Sequence, residues 1–496
     1  MNTFHSTRST TDPLTSRQAI RQGLAPDGGL YVSDALGASH VDIADIADLS
    51  YQEIAQRVLS ALLPDFTTDE LHECIERAYG DQWEDDAITP LKPLGDDYVL
   101  ELFHGPTSAF KDVALQMLPR LMARTTSESD DPDERIMILT ATSGDTGKAA
   151  LSGFADVPGT AITVFYPEGK VSQVQQLQMT TQRGGNVRVC AVRGNFDDAQ
   201  SAVKRIFGDR ELASTLRDES HVVLSSANSI NVGRLVPQVV YYFAAYAQLL
   251  RRGAISMGDG VEFIVPTGNF GNVLAGYYAK RLGLPVSHLV VASDRNNVLF
   301  DFLTSGTYNR ERPFFQTTSP SMDILVSSNL ERMLYYMSQG DTRLINTLMN
   351  DLSHWGAFEA PDEMMARIRS LFGCGWADEN QVNDAIDRCW RDNHYVLDPH
   401  TACGYYVMNR MPRQDGVRRI LLSTASPYKF PRVVNSALGL DASGDDFTCM
   451  DRLSQATGTT APTALRSLEG AQVRFTNVVG IDGMGEFVTA AASAAV

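Results

Sequence analysis

Apolar residues recurring every three or four positions open the regular part of the chain. Ile54, Val58 and Leu62 line one helical face, and Leu71, Ile75 and Ala78 line a second. Ahead of them, Gly-Leu-Ala-Pro-Asp-Gly-Gly-Leu-Tyr (23–31) is a dense turn cluster running into a short apolar segment, so ordered structure is expected almost from the start. Pro90 and Pro93 close this first unit, residues 1–95. From about residue 98 the pattern changes to short β-branched runs alternating with helical periods. Strands are expected at 135–141, 161–166, 187–192, 221–225, 262–266, 288–292 and 419–422. Such alternation predicts an α/β fold of mostly parallel sheets flanked by helices. Residues 293–400 are less regular: a Ser/Thr/Pro-rich connection at 317–321 precedes helical patterning, and Gly373-Cys374-Gly375 reads as a turn. They are expected to be an insertion in a core spanning 96–440, with 441–496 as a C-terminal tail packed on it.

Composition narrows the function. A chain of 496 residues, 43% apolar and 21% charged, can bury a large core without disulfides or metals. No run of about 18 apolar residues is present to span a bilayer. Lys and Arg number 42 against 60 Asp and Glu, a net charge of −18 that repels phosphate backbones and anionic lipid. Neither nucleic acid nor membrane is an expected partner, and any anionic ligand needs a locally positive pocket. The six cysteines form no CxxC pair and the nine histidines no HExxH, so no metal is expected and a reducing, cytoplasmic setting fits.

In open α/β sheets ligands bind beyond the carboxyl ends of strands, and three loops there carry chemistry. After 262–266 comes Thr267-Gly268-Asn269-Phe270-Gly271-Asn272 and then a helical run. Two glycines allow close backbone approach and a helix start offers free N–H groups, which suits a phosphate; a plain strand-to-helix turn satisfies the same pattern. After 135–141 comes Thr142-Ser143-Gly144-Asp145-Thr146-Gly147-Lys148. Its spacing fails the ATP-binding P-loop pattern, leaving a hydroxyl-rich helix start suited to a carboxylate or phosphate. The third feature is Lys111 in Ala-Phe-Lys-Asp (109–112), just before a helical run to about 122 that is flawed by Pro119. A helix N-terminus disfavours an ammonium ion, and a neutral lysine amine forms Schiff bases with carbonyl compounds; a solvated surface lysine is the alternative. Together these features are what pyridoxal phosphate and an amino-acid substrate require.

Longer motifs make the pattern specific. The chain carries Ser6-Thr7-Arg8, Glu-Leu-Phe-His-Gly-Pro-Thr (101–107), Thr-Ser-Gly-Asp-Thr-Gly (142–147), Asn-Ser-Ile-Asn (228–231), Pro-Thr-Gly-Asn-Phe-Gly-Asn (266–272) and Thr-Ser-Pro-Ser-Met-Asp-Ile-Leu-Val-Ser-Ser-Asn-Leu-Glu-Arg (318–332). Over nearly its whole length it resembles the threonine synthase family, pyridoxal-phosphate enzymes of the tryptophan-synthase-β type, fold type II. The resemblance implies two lobes with an added N-terminal domain. It implies Lys111 as the residue holding the cofactor, Gly268, Asn269, Phe270, Gly271 and Asn272 around its phosphate, and Thr424 against its ring nitrogen. Ser143, Gly144, Asp145 and Thr146 would face the substrate carboxylate and the cofactor ring, and Arg234 the substrate phosphate, with Lys148 and Lys170 as helpers. The sequence departs from the family's usual residues at Ser108 (Leu), Lys148 (a small residue), Ser426 (His) and Tyr428 (Ala).

The implied reaction converts O-phospho-L-homoserine and water into L-threonine and phosphate, the last step of threonine biosynthesis, in a monomer or homodimer. The alternative is a phospho-lyase that shares the early steps but releases 2-oxobutyrate and ammonia.

Overall fold

The computed structural model describes residues 3–10, 13–34, 36–125, 129, 131–142 and 144–494. Strands β1 (Phe4–Ser6) and β2 (Tyr31–Ser33) form an antiparallel pair around the turn cluster. Helices Tyr51–Leu62 and Thr68–Ala78 follow, each opened by a capping box, Ser50 with Glu53 and Thr67 with Glu70, which satisfies the N–H groups left over at a helix start. Their apolar faces, Ile54, Val58 and Leu62, then Leu71, Ile75 and Ala78, are buried. They pack on helices Val232–Arg251 and Lys111–Thr125, so this unit braces the helix that carries Lys111.

Next come β3 (Leu91–Leu94) and β4 (Asp97–Glu101), then β5 (Arg135–Ala141), β6 (Thr160–Pro167), β7 (Val187–Arg193) and β8 (Val222–Ser225). After the helix Val232–Arg251 lie β9 (Val261–Pro266) and β10 (Val286–Ser293), the small antiparallel pair β11 (Thr307–Asn309) and β12 (Ala357–Glu359), then β13 (Phe372–Trp376), β14 (Arg418–Ser423) and β15 (Val478–Gly480). Among the described residues, one sheet has the order β13-β10-β9-β14-β4-β3 and is parallel except for the β3–β4 hairpin. The other, β15-β7-β6-β5-β8, is parallel throughout. Every residue of β6 and β9 is buried, as expected where helices cover both faces of a parallel sheet. The fold is α/β with two helix-flanked sheets, and Pro93 sits on the edge strand β3, where a missing N–H is tolerated.

The sequence reading needs correcting at residues 373–375. They are not a turn but the middle of β13, which pairs in parallel with β10. A Cβ on Gly375 would lie 2.7 Å from Val407 Cγ1 and one on Gly373 2.8 Å from Met411 Cε, so the glycines let helix Pro399–Met408 and the turn after it lie flush on the strand. The segment 293–400 thus supplies an edge strand to the larger sheet, together with the helices Leu330–Met337, Thr342–Trp355 and Glu379–Asn393. Likewise β15 joins the smaller sheet from within 441–496.

Pro119 does not stop the helix Lys111–Thr125. It removes the N–H that Leu115 O would otherwise accept. A Cβ at Gly153 would lie 1.8 Å from that carbonyl, so the glycine gives the helix pair room to close on it. Among the described residues no helix is long and apolar enough to cross a membrane, and no cluster of three or more His, Cys, Asp or Glu is able to hold a metal ion.

Candidate active site

The carboxyl ends of β4, β9 and β14 lie side by side, and the loops leaving them are stitched together by backbone. Phe110 N donates to Thr424 O at 2.8 Å, Ser426 N to Ser108 O at 3.1 Å, and Ala109 bridges Ala425. Ser108 adopts φ +56°, a left-handed conformation uncommon for a residue with a Cβ, and this turns the chain into the helix that begins at Lys111. Thr107 closes the same turn by donating from N and Oγ1 to the Asp112 carboxylate at 2.8 and 2.6 Å. Lys111 is thereby fixed as the first residue of a helix, as expected, and is buried.

Its amine donates to Ser321 Oγ at 2.8 Å, and Ser321 Oγ donates to Asp145 Oδ2 at 3.1 Å. Burial pushes the amine down to about 8; Asp145 opposes that shift, while Arg234 and Lys429 add to it. Asp145 opens the helix Asp145–Phe154 after β5. Gly144 before it has φ +148°, and a Cβ there would lie 2.3 Å from Gln175 Nε2, so only glycine fits this turn. Thr142 Oγ1 accepts from Gly144 N and Gly147 N at 3.0 and 2.9 Å. Burial works against a charged Asp145, but Lys429, Lys111 and His400 overcome it and hold the carboxylate well below the usual range. Thr146 is half-buried beside it, and Ser143 lies outside the described residues.

The glycine loop after β9 approaches the same point. A Cβ on Gly268 would lie 2.9 Å from Ser321 O, so Ser321 touches the loop with its carbonyl and Lys111 with its hydroxyl. Phe270 takes φ +61° and the helix Gly271–Arg281 starts immediately after it. Asn269 is exposed, its carbonyl accepting from Asn329 N at 3.1 Å. Asn272 Oδ1 receives the hydroxyls of Tyr241 and Tyr242 at 2.5 and 3.2 Å, which leaves Nδ2 buried without a partner among the described residues. Asn329 is oriented similarly: fully buried Arg332 donates to its Oδ1 at 2.5 Å and its Nδ2 is left over.

Arg234 lies in the first turn of the helix Val232–Arg251. It is buried, its Nη1 donating to Ala227 O at 2.9 Å while its Nε has no partner among the described residues. Burial pushes this guanidinium down to about 10. Thr424 is buried at the end of β14, its N–H donating to Thr401 Oγ1 at 3.1 Å. Lys148 is directed to Gln182 Oε1, and Lys170 is exposed, so neither joins the Ser321-centred cluster. Ser426 caps the turn Pro427–Lys429, and the Tyr428 hydroxyl reaches Ser454 and Thr459 of the C-terminal segment at 2.9 and 2.8 Å.

Sequence reasoning did not single out three members of the cluster. Ser321 lay inside a quoted motif without a role. His400 Nε2 accepts from Ser321 N at 3.2 Å while Nδ1 faces Asp398 Oδ1 at 2.8 Å; the available signal was Asp-Pro-His-Thr, an N-cap followed at once by a ring that can reach back to it. Lys429, completely buried, pairs with Asp145 Oδ1 at 2.7 Å.

Three family models match the chain in succession: threonine synthase N terminus over residues 3–79, pyridoxal-phosphate dependent enzyme over 89–422, and threonine synthase C-terminal over 401–488. Human threonine synthase-like 1 is 40% identical over 433 residues, 85% of this chain but 58% of that longer protein. Threonine synthase of Pseudomonas aeruginosa is 39% identical over 437 residues, covering 88% of this chain and 90% of its own length. The crystal structure of threonine synthase from Brucella melitensis superposes with a TM-score of 0.87 at 36% identity, covering 99% of this chain and all of that one. The chain belongs to the threonine synthase family of pyridoxal-phosphate-dependent enzymes.

Proposed function

We propose that this chain is a threonine synthase, converting O-phospho-L-homoserine and water to L-threonine and phosphate with pyridoxal phosphate as cofactor. The observation carrying the reading is the convergence of Lys111, Asp145 and the Gly268–Asn272 loop on Ser321, with a buried guanidinium, Arg234, whose charge bears on Lys111. Leftover donors test the fit. Among the described residues Asn272 Nδ2, Asn329 Nδ2, Ser108 Oγ and Arg234 Nε are buried without a partner, an arrangement that disfavours an empty fold and suits a ligand rich in anionic oxygen. Gly268 and Gly271 carry no Cβ, so at those two positions the loop's backbone is open to close approach by a phosphate.

When bound, pyridoxal phosphate supplies an electron sink for negative charge developing on the substrate carbons. The other roles belong to the chain. Lys111 would hold the cofactor through its aldehyde, and, once displaced from it by the substrate's amine, its own amine, whose affinity for a proton burial lowers, would take and return the proton at the substrate's α-carbon. Ser321 Oγ orients that amine. The amides of Gly268, Asn269, Phe270, Gly271 and Asn272 would hold the cofactor phosphate at a helix start, and Thr424 would supply a hydroxyl for its ring nitrogen. Arg234 binds the substrate phosphate and offsets its charge as it leaves. Gly144 and Thr146, with Ser143, receive the substrate carboxylate through backbone and hydroxyl groups. The Asp145 side chain is an anion engaged by two lysines, so its role is to balance their charge.

The experiment is a product assay with O-phospho-L-homoserine on wild type and Lys111→Ala. Threonine and phosphate from wild type alone support the reading; 2-oxobutyrate with ammonia contradicts it. We also propose three units, 1–95, 96–440 and 441–496, to be checked by limited proteolysis. A cytoplasmic location, supported by six free cysteines, and a monomer or homodimer complete the proposal, to be tested by fractionation and light scattering.

A further inference from the structure

Lys429 has appeared so far only as a partner of Asp145, yet it is the most deeply buried ammonium at the site. It ends the short turn Pro427–Lys429 after β14, donates to Thr107 O at 2.9 Å and pairs with Asp145 Oδ1 at 2.7 Å. Lys111 comes only to 3.6 Å from the other carboxylate oxygen, and its own short hydrogen bond goes to Ser321 Oγ. Two lysines share one carboxylate, and Lys429 has the closer hold.

That division has a consequence for charge. A lone buried carboxylate beside Lys111 would favour its protonated form, the form that cannot attack a carbonyl. Several elements face this amine: Asp145 from the helix after β5, Arg234 from the helix after β8, Lys429 from the turn after β14, and the Ser321 hydroxyl. Asp145 is also faced by His400, and Lys429 by Asp112, with Lys148 beyond it. Around Lys111 the count is two cations against one anion, and one of those cations, Lys429, is already paired with that anion.

We propose that Lys429 is a positioning residue for the reaction: it engages the Asp145 carboxylate and thereby weakens that carboxylate's hold on the Lys111 ammonium, so that the amine gives up its proton more readily. This rests on the reading of Lys111 as the cofactor lysine. Lys429 does not touch the reacting atoms; it acts through Asp145.

The test is competitive labelling of the full-length protein, stripped of cofactor, with trace acetic anhydride over a pH series, with acetylation at Lys111 read by peptide mass spectrometry. In wild type the reactive fraction rises through about 8. In Lys429→Met it should fall about tenfold near neutral pH, a midpoint moved upward by about one unit. Lys429→Arg should restore the wild-type profile, and Asp145→Asn should move the midpoint down. Lys429→Gln, which keeps a donor for Thr107 O, takes the place of Lys429→Met should the latter not fold. An unchanged or lowered Lys111 midpoint in a folded Lys429→Met or Lys429→Gln overturns the proposal, because a purely structural lysine would leave it unmoved. Borohydride mapping of the loaded wild type separates the two claims. A label away from Lys111 removes the underlying reading, whereas a label on Lys111 with an unmoved midpoint removes only the role of Lys429.

Discussion

The two sheets meet at one site but furnish it with different chemistry. Loops from the six-stranded sheet, after β4, β9 and β14, bring Lys111, the Gly268–Asn272 backbone and Thr424, and are tied to one another by backbone contacts such as Phe110 N to Thr424 O. Loops from the five-stranded sheet, after β5 and β8, bring charge: Asp145 and Arg234. The larger sheet builds a seat, rigid because its parts are fixed by main chain. The smaller sheet sets the field acting on whatever is seated. Lys429 joins them, as Lys111 and Ser321 do, and its 2.7 Å contact with Asp145 of the smaller sheet is the shortest of the three. Seat and field should therefore fail in distinguishable ways.

Breaking the seat at its centre has the largest effect: Lys111→Ala should lose cofactor attachment, seen as loss of the bound-cofactor absorbance, and lower turnover by about 10²–10⁴-fold or more. Breaking the field comes next. Arg234→Gln should keep the absorbance but lower kcat/KM for the phosphorylated substrate by about 10²–10³-fold. Narrowing the seat is milder. Gly268→Ala sets a methyl 2.9 Å from Ser321 O and should weaken cofactor affinity by roughly 10- to 100-fold, following the ~1–3 kcal/mol cost of overpacking. Gly153→Ala, against Leu115 O and away from the loops, should lower Tm by a few degrees and leave cofactor affinity at wild type. The smallest effect is the pH response. Lys111 in the fold carries its charge below about 8 and sheds it above, so the rate at which stripped protein captures the cofactor should rise about tenfold from pH ~7 to ~9 and then level off. The same depressed value makes the stripped fold relatively more stable as pH rises from about 8 toward the ordinary lysine value, because over that interval the unfolded chain binds the extra proton. A Lys111→Met chain should show a shallower slope in urea titrations, with Lys148, which burial also pushes down to about 8, still contributing in the same direction.

Much of this was legible in the sequence, for identifiable reasons. Parallel strands buried on both faces read as continuous apolar runs, and the ranges around 135–141, 187–192 and 262–266 fall inside or on β5, β7 and β9. Lys111, the glycine loop and Asp145 were visible because each sits at a helix start, a local feature. β13 was not visible: Phe-Gly-Cys-Gly-Trp has the composition of a turn, and its strand conformation is imposed by β10 on one side and Val407 across the sheet. Ser321 was hidden because its contact with Lys111 spans 210 residues. Pro119, a flaw in the helical pattern, is carried inside the helix by a feature the local sequence does not show, the space that Gly153 leaves on another helix.

The most direct test of the seat is borohydride reduction of the cofactor-loaded protein followed by proteolysis and mapping of the modified peptide. The expected result is a single stable adduct on Lys111. An adduct on Lys148 or Lys429 instead, or none with the cofactor demonstrably bound, would contradict the account.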